Sequence, residues 1–380
     1  MIKKVIYLSQ EKLSEKIRRD WYINDLIDFK YNVEFWDVSY LIKHNRTSNE
    51  RHAEISIKEF TEYNHLYNEV KNSDNKNCIY VILIPYTYEA ISIYRLITKF
   101  NLFTVFFYWG EFPLVYTKKN LLSKLKNYFS LNINLVLLVK RIIQRQYIKI
   151  LRKFGLIKKY DLCFTAGQMC KDSAYAHRKI GINLCDYKQN MLTDDIKLEN
   201  KYSVFVDINL PYHTDTYYSY SINDINYFNS LNNFFEKYEN EYGTKVVIAA
   251  HPKSKYKEET FCGRKIYYLK TAELIKSCEH VFIHHSTAIS YAILNYKPIT
   301  FLVTDDMRNS TDYMLTKGLA DYLDNQLINI DHITSKNIKI SSLNKQLYDK
   351  YKYDYIVSRE TEGIDTTRIV INSLNKIPNV

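Results

Sequence analysis

The sequence predicts an α/β chain of two domains, each a parallel sheet with crossover helices. Three observations carry this. Apolar, strand-like runs alternate with helix-like stretches along both halves. The length of 380 residues suits two domains of roughly 150 to 200 residues each. Two segments about 35 residues apart, 246–253 (VVIAAHPK) and 280–292 (HVFIHHSTAISYA), each pass from a buried strand into polar residues. In open α/β sheets that end of a strand is where ligands bind.

In chain order, residues 5–8 (VIYL) read as a strand, 20–29 follow helical spacing, and 33–38 (VEFWDV) read as a second strand. Residues 78–84 are a fully apolar strand, followed by a helix through 89–100 and a strand over 103–108 that ends in Trp109-Gly110-Glu111-Phe112-Pro113. Residues 162–167 form a short strand leading to a turn. The polar stretch 186–201 reads as a linker, so the domains are expected at 1–190 and 200–380. The second series opens with a strand at 202–207 and a helix over 222–242. Strands at 245–250, 280–283 and 298–303, with a helix running to Leu294, continue it. A last helix falls within 361–377.

Composition bounds the function. Hydrophobic content of 46% supports a full core in each domain, and the 36 tyrosines are a compositional habit shared with frequent Asn, Lys and Ile. The 6 cysteines form no C-x-x-C pair and suggest no zinc. Met1-Ile2-Lys3-Lys4 leads straight into a strand, so a reduced, cytoplasmic protein without a signal peptide is expected. The longest apolar run, within 133–139, is well short of the ~18 residues that span a bilayer. No G-x-G-x-x-G follows the first strand and no G-x-x-x-x-G-K-[ST] occurs, which argues against dinucleotide and P-loop chemistry.

The motifs point to an activated phosphate ester. A strand-His-Pro beside a strand-Ser/Thr-helix suits a nucleotide phosphate. His251, followed by Pro252, can donate to a phosphate whose negative charge grows as it leaves, and Lys253 is either a cation that neutralises a donor carboxylate or a solvated lysine. Ser286 and Thr287 offer hydroxyls and main-chain N–H groups at a helix start, and of His284 and His285 one must face inward as packing while His285 is counted with the donor site. The plain alternative is that His251 ends a strand and Ser286 caps a helix. Asp207 ends the first strand of the second domain as either a catalytic carboxylate or a turn former. Glu111, after Gly110, is either a general base toward an acceptor hydroxyl or a loop acid. Asp305 and Asp306 follow a strand and suit a ribose or a metal. No D-x-D lies in the first domain, so no essential metal and no cofactor are expected.

Two similar α/β halves facing a central cleft resemble the GT-B glycosyltransferases. His251-Pro252 and Ser286-Thr287 resemble the HP and serine/threonine motifs of bacterial transferases that use CMP-activated acidic sugars. These are the bacterial sialyltransferases and the Kdo transferases of capsule and lipopolysaccharide synthesis. The segment 33–38 has the same flavour. The resemblance implies a GT-B-like α/β fold of two Rossmann-like domains. It places the acceptor on the first domain and the cytidine and phosphate of the donor on the second. The run Asp207-x-x-x-Pro211-x-His213 is similar to a pattern in retaining β-Kdo transferases, which implies that Asp207 is a nucleophile forming a glycosyl-enzyme adduct.

The net charge of +11 is concentrated. From Leu114 to Tyr160 there are 12 Lys and Arg and no Asp or Glu, and the remainder of the chain sums to −1. Within 114–160, Leu121, Leu122, Leu125, Tyr128 and Phe129 recur at helical spacing between lysines. Three readings stand: a helix on an anionic membrane surface, a nucleic-acid surface, or a solvated insertion. No nucleic-acid motif accompanies it, so the membrane is preferred and nucleic acid is not expected as a partner.

The expected activity is transfer of Kdo or another nonulosonic acid from its CMP donor to a bacterial surface glycan or glycolipid, at the cytoplasmic face of the membrane. The rival classes are a CDP-glycerol or CDP-ribitol phosphotransferase and a non-catalytic GT-B-like assembly scaffold.

Overall fold

The computed structural model describes residues 4–43, 54–109, 111–113, 135–196, 198–212, 221–308, 310–333, 338, 340 and 342–377. They form two compact units, each built on its own parallel sheet.

The first sheet has seven strands: β1 (Lys4–Ser9), β2 (Asn32–Asp37), β3 (Ser56–Glu59), β4 (Cys78–Leu83), β5 (Thr104–Tyr108), β6 (Tyr160–Ala166) and β7 (Ala176–Ile182). Their order is β3-β2-β1-β4-β5-β6-β7, all parallel. The unbroken apolar runs of β1 and β4 follow from this position, since an interior parallel strand is covered on both faces. Val5 pairs with Val33 on one side and Ile79 on the other. Trp36, Tyr80, Leu66 and Ile97 fill the core against one face. The helical stretch expected over 20–29 is two helices, Glu15–Asp20 and Ile23–Asp28, separated by Tyr22 in the left-handed region at φ 58°.

The second sheet has six strands: β8 (Tyr202–Val206), β9 (Lys245–Ala250), β10 (Ile266–Tyr268), β11 (Val281–Ile283), β12 (Ile299–Val303) and β13 (Leu327–Asn329), ordered β10-β9-β8-β11-β12-β13 and again parallel. The helix Asp224–Tyr242 covers it. Asn223 caps its start by accepting from the Asn226 N–H at 2.9 Å, and Gly243 ends it at φ 64°. Tyr227, Leu231, Phe234, Phe235 and Tyr238 recur at helical spacing and are all buried.

The boundary differs from the expected one in two ways. The second unit begins at Leu184, because the polar stretch taken as a linker opens with a helix, Cys185–Leu192, that belongs to it. Gln189 accepts from the Tyr291 hydroxyl at 3.0 Å and Asn190 from the Asn295 amide at 2.6 Å, so polar side chains dock this helix. The chain from Ser358 onward, including the helix Thr366–Asn375, returns to the first unit. There Asn183 donates to the carbonyls of Thr361 and Ile364, and Thr367 donates to Asp25. β7 admits this return through Gly181, where an added Cβ would stand 2.7 Å from the Ser358 Cβ. Residues 111–113 group with the second unit.

Candidate active site

In each sheet the strand order reverses beside one strand, β1 in the first and β8 in the second. A crevice opens at the carboxyl ends of the strands at such a point. The sequence-predicted residues of the second unit fall on the ends of β8, β9 and β11, which are neighbours in that sheet.

Asp207 follows β8 and is buried, at 4% exposure. Its Oδ1 accepts from the Asn209 N–H at 2.8 Å, a turn made possible by Asn209 at φ 56°. Its Oδ2 accepts from the His251 N–H at 3.0 Å and the Tyr256 hydroxyl at 2.9 Å. Burial pushes the carboxyl above its ordinary value, and the His251 and Asn209 N–H groups and the Tyr256 hydroxyl oppose that rise. Asp207 thus ties the end of β8 to the turn after β9.

That turn is closed at His251, whose carbonyl accepts from the Ser254 N–H at 2.9 Å and the Ser254 hydroxyl at 2.7 Å. The Lys253 N–H donates to His251 Nδ1 at 3.2 Å. Nδ1 is therefore an acceptor, and the ring proton of the neutral tautomer sits on Nε2. His251 is half-buried, while Pro252 and Lys253 are exposed.

After β11 the two histidines part. His284 is fully buried: Nδ1–H donates to the Leu302 carbonyl at 2.7 Å, and Nε2 accepts from the Tyr227 hydroxyl at 2.9 Å. Burial pushes it down to about 4, so it is a neutral core residue. His285 is half-buried and places Nε2 3.5 Å from Asp312. Ser286 Oγ accepts from the Ala288 N–H at 3.2 Å, and Thr287 is exposed. The helix itself is Ile289–Leu294. The N–H groups expected to be open at its start are engaged: those of Ile289, Ser290 and Tyr291 donate to the carbonyls of Ser286, Thr287 and Ala288. The tight turn takes them, so an anion would meet the Ser286 and Thr287 hydroxyls instead.

His251 and Ser286 stand at the ends of strands separated by β8, about 10 Å apart at the usual strand spacing. Asp305 lies farther along the sheet and is occupied by the Asn329 amide, Arg308 and His332 at 2.6 to 2.8 Å, which lower its carboxyl. Asp306 accepts from the Asn223 N–H at 3.3 Å. Among the described residues no group of three or more His, Cys, Asp and Glu is placed to hold a metal. Glu111 is half-buried. Gly110, Leu121, Leu122, Leu125, Tyr128, Phe129 and His213 lie outside the described residues.

The first unit contributes a feature that sequence reasoning missed. A cavity of about 240 Å³ lies at its reversal point, between the ends of β1 and β4. Ser9, Gln10 and Glu11 line one side, Leu83, Ile84 and Pro85 another, and Ile17, Trp21 and Phe106 close it. Ser9 is buried and its hydroxyl donates to the Glu11 carbonyl at 2.8 Å. The signal was present, since Leu8-Ser9-Gln10-Glu11 also passes from apolar strand to polar residues. A larger depression of about 730 Å³ lies at the opposite ends of β8 and β9, around the Arg264–Glu239 ion pair, and includes none of the predicted residues.

No family model and no curated protein matches this sequence. Solved structures do match it in fold. CalG4, the calicheamicin glycosyltransferase, aligns over 99% of this chain and 98% of its own with a TM-score of 0.52 at 8% identity. Arabidopsis thaliana UGT89C1 complexed with UDP-L-rhamnose aligns over 98% of both chains at 0.51 and 8% identity. The chain has the GT-B fold. At such low identity the likeness carries the GT-B architecture and no residue roles.

Proposed function

We propose that this chain is a glycosyltransferase that holds a CMP-activated acidic sugar, Kdo or another nonulosonic acid, on its second unit. The observation that carries the proposal is the His251 turn. Its main chain is locked by Asp207 and Ser254, and its ring by the Lys253 N–H, which leaves the ring proton on Nε2 of a half-buried residue beside the sheet's reversal strand. The Ser286 and Thr287 hydroxyls lie two strands along, and exposed Lys253 supplies a cation for an acidic donor.

In the transfer, the bond between the anomeric carbon and the CMP phosphate oxygen breaks, and CMP departs with the electron pair. An acceptor hydroxyl oxygen bonds to the anomeric carbon and its proton passes to a base, assigned to Glu111. Asp207 acts as a positioning residue. Both of its oxygens face donors of the turn rather than standing open to attack. The first-unit cavity around Ser9, Glu11 and Trp21 suits part of a glycan or glycolipid acceptor, an aromatic wall beside polar groups.

Titration calorimetry with CMP, CDP, UDP and GDP tests this. CMP is expected to bind most tightly, and His251→Ala and Ser286→Ala are each expected to weaken it by about 1 to 3 kcal/mol while leaving the fold intact. Preference for CDP would favour the polyol-phosphate reaction. Unchanged CMP affinity in both variants, or no response to any nucleotide, would remove the proposed site.

A further inference from the structure

The helix Leu135–Lys153 faces the first unit with only part of its surface. Ile148 and Leu151 are buried in that unit's core. Ile143, Tyr147, Ile150 and Phe154 recur at spacings of three and four residues, which puts them on one stripe. That stripe is open to solvent: Ile143 is 62% exposed, Ile150 50% and Phe154 71%. Leu156, just past the helix, is also exposed, and exposed Ile142 lies on the neighbouring row. Arg145, Lys149 and Lys153, spaced by four, form a second row beside it and are exposed. Arg95, on the helix Ile91–Lys99, joins the patch and donates to the Tyr147 hydroxyl at 3.2 Å. Arg152 is excluded, because its guanidinium lies 3.5 Å from the centre of the Tyr175 ring.

A solvated face does not collect Ile143, Ile150 and Phe154 on one stripe. A nucleic acid would match the cations but would leave the apolar stripe in water. A second copy docking through the same face would bring like charges together. Both rows are matched by one surface, anionic headgroups over acyl chains.

We propose that this helix docks on an anionic lipid bilayer, with Ile143, Ile150 and Phe154 among the acyl chains and Arg145, Lys149 and Lys153 at the headgroups. The contact lies within the basic segment singled out in the sequence, on a face that only the packing of Ile148 and Leu151 selects. It does not depend on the transferase reading.

The test is flotation of the full chain with phosphatidylcholine vesicles, with and without phosphatidylglycerol. The parent is expected to float with the anionic vesicles at low salt and less as salt rises. Arg145→Gln, Lys149→Gln and Lys153→Gln together should lower partitioning about 100-fold, at roughly fivefold per cation. Ile143→Ser, Ile150→Ser and Phe154→Ser together should lower it at least tenfold, with the fold retained because half or more of each side chain is already in water. Phe154→Trp should show a blue-shifted emission on anionic vesicles. Failure of the parent to float at low salt would overturn the proposal, as would equal flotation of both triple variants. Binding to RNA without vesicles, or self-association that the serine variant abolishes without any flotation, would overturn it in favour of the other occupants.

Discussion

Substituting Asp207 by Asn separates two chemistries. The native carboxylate accepts three hydrogen bonds, one at Oδ1 from Asn209 and two at Oδ2 from His251 and Tyr256. An amide has one acceptor oxygen. If that oxygen keeps Asn209, the amide nitrogen faces the His251 N–H, donor against donor. If it flips to His251, the Asn209 N–H loses its acceptor. Either way one buried main-chain donor is orphaned, at about 1 to 3 kcal/mol. The amide escapes the desolvation that raises the Asp207 carboxyl, which offsets part of the loss. A net destabilisation of about 2 kcal/mol corresponds to a fall in Tm of about 4 to 8 °C for a unit of this size. Because the His251 turn is released, CMP affinity falls too, by about tenfold. The assays are thermal melting and calorimetric titration with CMP. A nucleophile predicts the opposite pattern, with native melting, native CMP binding and transfer abolished. A sugar-sized mass gain on the parent incubated with donor alone, absent in Asp207→Asn, would accompany that pattern. Either result would refute the positioning argument.

Glu111→Gln should lower kcat for transfer by about 100-fold or more, the usual contribution of a general base, and Glu11→Gln should raise KM for the acceptor with little change in kcat. Steady-state kinetics decides between them, and the reverse pattern would exchange the two roles. Acid should destabilise the second unit through His280 and His284, which burial pushes down to about 3 and about 4. Both are neutral in the fold and protonate near pH 6.5 when unfolded, so their stabilisation is present above pH 6.5 and is lost as pH falls toward the folded values. Around pH 5 the slope should approach about 2.7 kcal/mol per pH unit, two protons' worth, and His280→Leu should halve it. Urea unfolding between pH 7.5 and 4.5 measures this, and stability that stays flat from pH 6.5 to 5 would contradict it.

Much of the fold was legible in the sequence because its signals are local. β4 and β9 after Lys245 are unbroken apolar runs, and β8 is interrupted only by Ser203, as suits strands covered on both faces. Gly243 marks the stop of the long helix, whereas the different fates of His284 and His285 are set in the bend that follows β11. Glu11 and the β1–β4 cavity were legible on the same terms but passed over, since a polar strand end is informative only once the strand order shows where the sheet reverses. The remaining features depended on partners distant in the chain. Asp207 reads as turn former or nucleophile from its neighbours, and its three bonds emerge only when His251 and Tyr256 arrive from 44 and 49 residues away. The helix Cys185–Leu192 has the composition of a linker and is held by Tyr291 and Asn295. The return of the last 23 residues to the first unit depends on Gly181 leaving room beside Ser358 and on Asn183 binding carbonyls 178 and 181 residues on. Periodicity and turn chemistry are written between near neighbours, so the sequence by itself determined the two-sheet class, the nine interior strands of the described residues and the long helix Asp224–Tyr242, but not the short or polar edge strands β3, β7, β10 and β13, nor helices such as Tyr63–Asn72 and Thr311–Leu323. Which polar atom meets which is settled by packing, and so the tertiary structure alone decided the role of Asp207, the occupied helix start after Thr287 and the face of Leu135–Lys153 left open to solvent.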